Sequence, residues 1–364
     1  MSKYRSSQFT HSQHDKVGVL ITNLGTPNAP DSKSLRPYLK QFLSDPRVVE
    51  FPRLLWWLIL NGIILRIRPA RSAKAYKTVW TEDGSPLAVH TQKQCEKLRE
   101  ALQRTWGENI VVAWAMRYGQ PSIPAALQHL ADAGVRKLLV LPLYPQYSGA
   151  TTGSTFDALA EDFTRRRWLP ELRFVNQYLD FEPYIDAVAK SIESYWQAHG
   201  RPQKLLFSYH GVPLRYLHNG DPYHCQCHKT SRLIADQLGL EPDEYMTTFQ
   251  SRFGREAWLK PYTDHSLQLL AQQGAKSVHV VCPGFSADCL ETIEEIGEEN
   301  RHYFLDAGGE DFHYIPALNS SDEHIDMLST LIETKLMGWS PDQEAPKARA
   351  ERAEQLQKNH PEYY

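Results

Sequence analysis

The sequence predicts an α/β fold: parallel sheets with helices on both faces, arranged in two halves. Three observations predict it. Short apolar runs that end in loop residues alternate with stretches of helical spacing along nearly the whole chain. Most of these runs are continuous rather than alternating, as in strands buried on both faces. A length of 364 residues suits two domains more readily than one.

The elements follow in order. VGVLITNLG (Val17–Gly25) is a continuous apolar run ending in glycine, hence a buried strand, and LRPYLKQFL reads as a helix. NIVVAWAMRYG is a strand, PSIPAALQHLADAG a helix closed by Gly134, and RKLLVLPLYPQYS a strand. RFVNQYL is read as the next strand and EPYIDAVAKSIESYWQAHG as a helix. KLLFSYHGVP, YMTTFQSRFG and SVHVVCPGFS are strands, separated by the helices KTSRLIADQLG and HSLQLLAQQGA. CLETIEEIGEENRHYFLDAGG reads as one helix, and FHYIPALN as the last strand. The expected division is a flexible segment 1–16, a first domain over 17–175, a second over 176–321, and a charged tail over 340–364 expected to fray.

Composition excludes some functions. The net charge of -3 gives no basic field for nucleic acid. Five cysteines, an odd number in a long chain, do not read as a secreted disulfide framework. The polar start, Met1 to Lys16, has no apolar core of a secretion signal, so a reducing cytoplasm is the expected compartment. The apolar run Leu54–Leu65 falls short of the roughly 18 residues a span needs. Nine Trp and 18 Tyr suit a flat apolar ligand or an interfacial surface, and equally a Trp-rich core.

In such sheets ligands collect at the carboxyl ends of strands. That rule selects Asn23–Pro27, Arg117 and Tyr118, Tyr144–Thr152, Ser208–Gly211, Gln250–Arg252 and Cys282–Ser286. His210 stands where a strand breaks into a loop, and a neutral imidazole there is a base or a ligand for a borderline metal. Taken alone, such a residue reads first as a histidine satisfied by local hydrogen bonds. Glu291, Glu295 and Glu298 stand at i, i+4 and i+7, which puts three carboxylates on one helix face. Such a ladder is either a cation path or a solvated acidic face favoured by the helix dipole. His224-Cys225-Gln226-Cys227-His228 is a dense run of soft ligands, but in an extended chain the cysteines point one way and the histidines the other. Cys-x-Cys is also not the usual zinc spacing, so a reduced surface loop is expected.

ITNLGTPNAP, LLFSYHGVP, NGDPYH, TTFQSRFGREAWLKPYTD and VVCPGFSADCLETIEEIGEENR, in this order, resemble the ferrochelatase family from about Val17 to Leu336. The resemblance implies two Rossmann-like domains with a porphyrin cleft between them, the helix at 322–338 packing back on the first. It implies insertion of ferrous iron (Fe2+) into protoporphyrin IX to form protohaem. The family's His–Glu pair across the cleft falls on His210 and Glu291, as catalytic and metal-binding residues, with Asp288 and Glu295 as an acidic line beside them. Leu24, Arg117, Tyr118, Tyr144, Phe249, Ser251 and Trp258 match the porphyrin pocket. FPRLLWWLILNGIILRIRP falls where the family has its pocket lip, so residues 54–67 are expected to make peripheral membrane contact. The chain has no cysteine after Cys289, and Gly149 stands where cluster-bearing relatives have an internal cysteine, so no iron–sulfur cluster or other prosthetic group is expected. Leu24 replaces the tyrosine of the coproporphyrin branch, which favours protoporphyrin. A cytosolic porphyrin or haem carrier without chemistry is the competing reading, and a coproporphyrin-using enzyme the other.

Overall fold

The computed structural model describes Tyr4, Arg5 and residues 13–340 and 346–363. Among the described residues, eight strands form two four-stranded parallel sheets. The first contains β1 (Lys16–Thr26), β2 (Ile110–Gly119), β3 (Val135–Pro142) and β4 (Glu171–Phe174) in the order β2-β1-β3-β4. The second contains β5 (Lys204–His210), β6 (Tyr245–Gln250), β7 (Ser277–Val281) and β8 (Asp311–Ile315) in the order β6-β5-β7-β8. The two halves share one topology. In each, the chain leaves its first strand to one side and then crosses to the other, which opens a crevice at the carboxyl ends of β1 and β3, and of β5 and β7.

The continuous apolar runs are explained by burial on both faces. Val17, Val19 and Ile21 of β1 enter one core cluster, and Leu20 enters another on the opposite face. In β5, Leu205 and Phe207 join the first of these clusters and Leu206 a third. The largest cluster thus runs through both halves, joined by the helices Pro86–Trp106, Glu182–His199 and Asp322–Leu336. The last of these, capped by Ser321 Oγ accepting from His324 N, packs on the helix Pro86–Trp106 and β3 as well as on Glu182–His199.

Four expectations need correction. The strand expected over RFVNQYL is confined to Glu171–Phe174: Val175 N still reaches Val140 O, and past it the chain leaves β3, which itself runs on to Pro142. The long helix expected from Cys289 is broken: an α-turn over Leu290–Ile293, a π-helical stretch over Glu295–Asn300, then Arg301–Asp306. Glu299 N bonds back to Glu294 O, the i→i−5 step of a widened turn. The His224–His228 run is not an extended loop but the first turns of a helix, Tyr223–Gln237. The tail expected to fray carries a helix over Pro346–Asn359, whose Arg349 donates to Gln13 O. Of the segment 1–16 expected to be flexible, residues 1–3 and 6–12 lie outside the described residues, and Lys16 already belongs to β1.

Candidate active site

The crevices of the two sheets open on one cleft of about 1270 Å³, its open mouth included. The first half supplies Asn23–Thr26 from the end of β1, and Leu143, Tyr144, Gln146 and Ser148 from beyond β3. The second supplies His210–Pro213 from the end of β5, and Gly284–Ala287 with Cys289–Glu291 from beyond β7. Buried polar contacts hold the halves in register. Gln94 Nε2 donates to Ser286 O, and Asp221 accepts from Ser148 Oγ and Gly149 N.

Two glycines let backbone approach backbone here. At Gly25, with φ +119°, a Cβ would sit 1.7 Å from the carbonyl oxygen of Tyr118. At Gly211 it would sit 2.7 Å from the carbonyl oxygen of Gln250 and against Trp258.

His210 ends β5 and is half-buried in the cleft wall. Its Nδ1 lies 2.7 Å from Gly211 O. A carbonyl only accepts, so Nδ1 carries the proton and Nε2 is left with the lone pair, free to take a proton or a metal. Glu291 opens the short helix after β7, the neighbour of β5, so both residues are mounted on adjacent strands of the second sheet. The backbone of Glu291 is held by Gln250 Nε2, whose own Oε1 accepts from Ser208 Oγ.

Leu24, Tyr144 and Trp258 line the same cleft. Tyr144 OH and Trp258 Nε1 are buried without a hydrogen-bond partner, and both belong to a wall that is otherwise mainly apolar. A buried donor without a partner calls for an explanation, and an acceptor on a bound ligand would supply one.

The other expected pocket residues stand behind this wall. Arg117 and Tyr118 converge on Asp45: Arg117 Nη2 donates to Asp45 Oδ2 at 2.6 Å and Tyr118 OH at 2.8 Å, with Ser154 Oγ as a third donor. Burial alone would raise the Asp45 carboxyl, but these donors and Arg47 N hold it below its ordinary range. Phe249 is buried in the core, stacked on His224. Ser251, at φ +65°, turns its N–H and Oγ to Glu295 rather than to the cleft.

The acidic ladder divides. Glu291 reaches the cleft, Glu295 is held by Ser251, and Glu298 is exposed. The π-turn is the reason, because it breaks the i, i+4, i+7 register. Asp288 is occupied elsewhere: it is buried, and it accepts from Tyr314 OH, Thr292 Oγ1 and Asn319 Nδ2. Burial, followed by the charge of Glu291, outweighs the Ser251 donors and pushes Glu295 up to about 7.

Sequence reasoning missed Tyr38 and Tyr76, which also line the cleft. Their hydroxyls stay protonated, because burial and then nearby charge, Glu291 included, raise them above the ordinary tyrosine value. Tyr38 sits at helical spacing with Leu35, Leu39 and Phe42 and so reads as core; only its polar tip hints at a site.

The run Leu54–Leu65 splits into a helix, Arg53–Ile59, and a π-helical stretch, Leu60–Ile64. Leu60 and Leu65 are buried, whereas Leu54 is 78% exposed, Trp57 59% and Ile67 67%. Among the described residues no helix is long and apolar enough to cross a membrane.

Residues 16–336 match the family model described as Ferrochelatase. Proteins named Ferrochelatase from Idiomarina loihiensis and Marinobacter nauticus are 65% and 63% identical to this chain, over 98% and 95% of it and 98% and 93% of their own lengths. The solved structure of SirB from Bacillus subtilis with Fe3+ has a TM-score of 0.53 at 10% identity, covering 90% of this chain and all of that one; this likeness is one of fold alone.

Proposed function

Since this chain belongs to the ferrochelatase family, whose chemistry is metal insertion into a porphyrin for haem synthesis, we propose that it inserts ferrous iron into protoporphyrin IX, with His210 and Glu291 at the reacting centre. The observation that carries this reading is their meeting in one mainly apolar cleft. A planar apolar macrocycle needs such walls, and a transferring metal needs a few N and O ligands that hold it weakly.

The reaction exchanges Fe2+ for two pyrrole protons. His210, with its lone pair on Nε2, accepts a proton or ligates the ion. Glu291 steadies the incoming cation or receives the other proton, and Glu295 behind it holds a carboxyl that titrates near neutrality. Trp258 and the tyrosines supply flat, rigid surface against which the macrocycle is bent toward its metallated shape. Iron is substrate here, and no prosthetic group is part of the proposal.

Protoporphyrin carries vinyl groups where coproporphyrin carries two further carboxylates. Leu24 puts apolar surface at that wall, and burying unpaired carboxylates there is costly. The exposed apolar residues of 54–67 support peripheral seating on a membrane, whose apolar layer would hand over the greasy substrate. The free cysteines fit the reducing, cytoplasmic side.

Anaerobic turnover with ferrous iron tests this reading. Protoporphyrin IX is expected to exceed coproporphyrin in kcat/KM by about tenfold or more, and Leu24→Tyr to narrow the gap. Equal or better use of coproporphyrin overturns the substrate choice. Stoichiometric porphyrin binding without turnover makes the protein a carrier.

A further inference from the structure

A second group of metal-type ligands lies away from the cleft. On β7 and β8, His279 and His313 are register partners, and Asp311 stands two residues before His313. One ligand atom from each of the three lies within 4.8 Å of the others, the one such group of three or more His, Cys, Asp or Glu among the described residues. None of the three lines the cleft.

The helix Glu182–His199 covers this place. It runs antiparallel to β7: Tyr184, near its start, donates to Pro283 O at the cleft end, and Tyr195 and His199 lie at its far end. From Tyr184 to His199 the helix descends roughly 20 Å, so the group sits well below the cleft. Tyr195 OH is 3.0 Å from His313 Nδ1, and the ring of His199 is 5.2 Å from that of His313. His199 Nδ1 donates to Tyr195 O, which leaves its Nε2 with a lone pair.

His279 points to a ligand. It is 1% exposed, yet its Nδ1 is buried with no hydrogen-bond partner. A buried ring nitrogen without a partner calls for an explanation such as an ion. Its surroundings are three further side chains that donate electron pairs: a carboxylate, an imidazole and a phenol.

We infer that His279, Asp311 and His313 form a binding site for a borderline divalent transition ion of the zinc type, beneath the C-terminal end of the helix Glu182–His199. Two imidazoles and one carboxylate are a donor set such ions accept, with the fourth position open to water, Tyr195 or His199. The ion would tie the edge strand β8 to β7 and to that helix. This inference does not depend on the reaction assigned to the cleft.

The test uses the full-length protein, metal-free and without porphyrin, carrying His210→Ala and Glu291→Ala so that the cleft ligands are gone. Titrated with Zn2+ against a chromophoric chelator, it is expected to bind one equivalent. Adding Asp311→Asn or His313→Gln should weaken that binding by about tenfold or more. Asp311 is half-exposed on the edge strand, so its asparagine variant should melt as the parent does when zinc is absent. Zinc-edge X-ray absorption on the loaded protein should show two imidazoles. Failure to bind zinc with the cleft ligands removed, or undiminished binding in both added variants, overturns the inference.

Discussion

Ser251 presents both its backbone N–H and its hydroxyl to the Glu295 carboxylate, at 2.7 and 2.5 Å. These donors favour the ionised form, yet burial and the charge of Glu291 prevail and set the group at about 7, above the ordinary glutamate value of 4.5. The folded chain therefore holds a proton that the unfolded chain has released between those values. The stability this provides is complete below 4.5 and lost as pH rises through about 7. Denaturant midpoints followed across this window should fall more steeply for the parent than for Glu295→Gln. Parallel slopes would remove Glu295 as the titrating group. The same variant should slow iron insertion about tenfold, as expected of a group acting through Glu291.

Asp45 titrates in the opposite sense. Its carboxyl is held low by Ser154, Arg47 N, Tyr118 and Arg117, so its contribution is present at neutral pH and lost as pH falls through its lowered value. Asp45→Asn leaves the mostly buried Arg117 without its counter-charge, with only Ser154 as hydrogen-bond partner, and should cost about 3 kcal/mol in urea unfolding at pH 7. A loss near zero would show that the Asp45 network carries no stability.

Much of this was legible in the sequence. All eight strands were read from the sequence, the central ones from continuous apolar runs, because a parallel sheet buried on both faces leaves that mark. His210 was picked out by its place at the end of an apolar strand and Glu291 by the spacing of the acidic ladder, and it was the family resemblance that joined them. What was not legible has a physical reason in each case. A π-turn depends on packing, so the sequence pattern treated Glu298 as a neighbour of Glu291. Arg117 and Tyr118 sit at a strand end, as the rule for ligand sites asks, but Asp45, 72 residues from Arg117, draws them behind the wall. Tyr38 and Tyr76 were hidden among core residues of their helices.

The exposed lip residues yield a test of membrane contact. Trp56 is unsuitable, because it is half-buried and its Nε1 donates to Leu43 O. Leu54→Ser, Trp57→Ser and Ile63→Ser together alter only exposed side chains. The triple variant should melt as the parent does, sediment less with anionic lipid vesicles, and show a porphyrin KM raised about threefold or more. Unchanged vesicle binding would remove the proposed membrane role of this segment.

Helix geometry separates the two thiols of the His224–His228 run. Cys225 is exposed, Cys227 is fully buried, and burial raises the Cys227 thiol. Two residues apart on a helix, they point to different sides. Cys225→Ser with Cys227→Ala should keep the iron-insertion rate within about twofold and cost about 1 kcal/mol of stability through Cys227. Parent protein purified without oxygen should be colourless. A brown parent whose colour and activity both vanish in the double variant would assign these residues to a cluster instead.

On the proposed reading, His210 and Glu291 perform the metallation within a cleft whose other residues bind the macrocycle. Porphyrin affinity and iron-insertion turnover measured side by side in His210→Ala and Glu291→Ala separate these two roles. Protoporphyrin affinity is expected within a few-fold of the parent, from fluorescence quenching, and turnover lower by about a thousandfold in each variant. Turnover near the parent's in either variant, with the protein folded and the porphyrin bound, would contradict it.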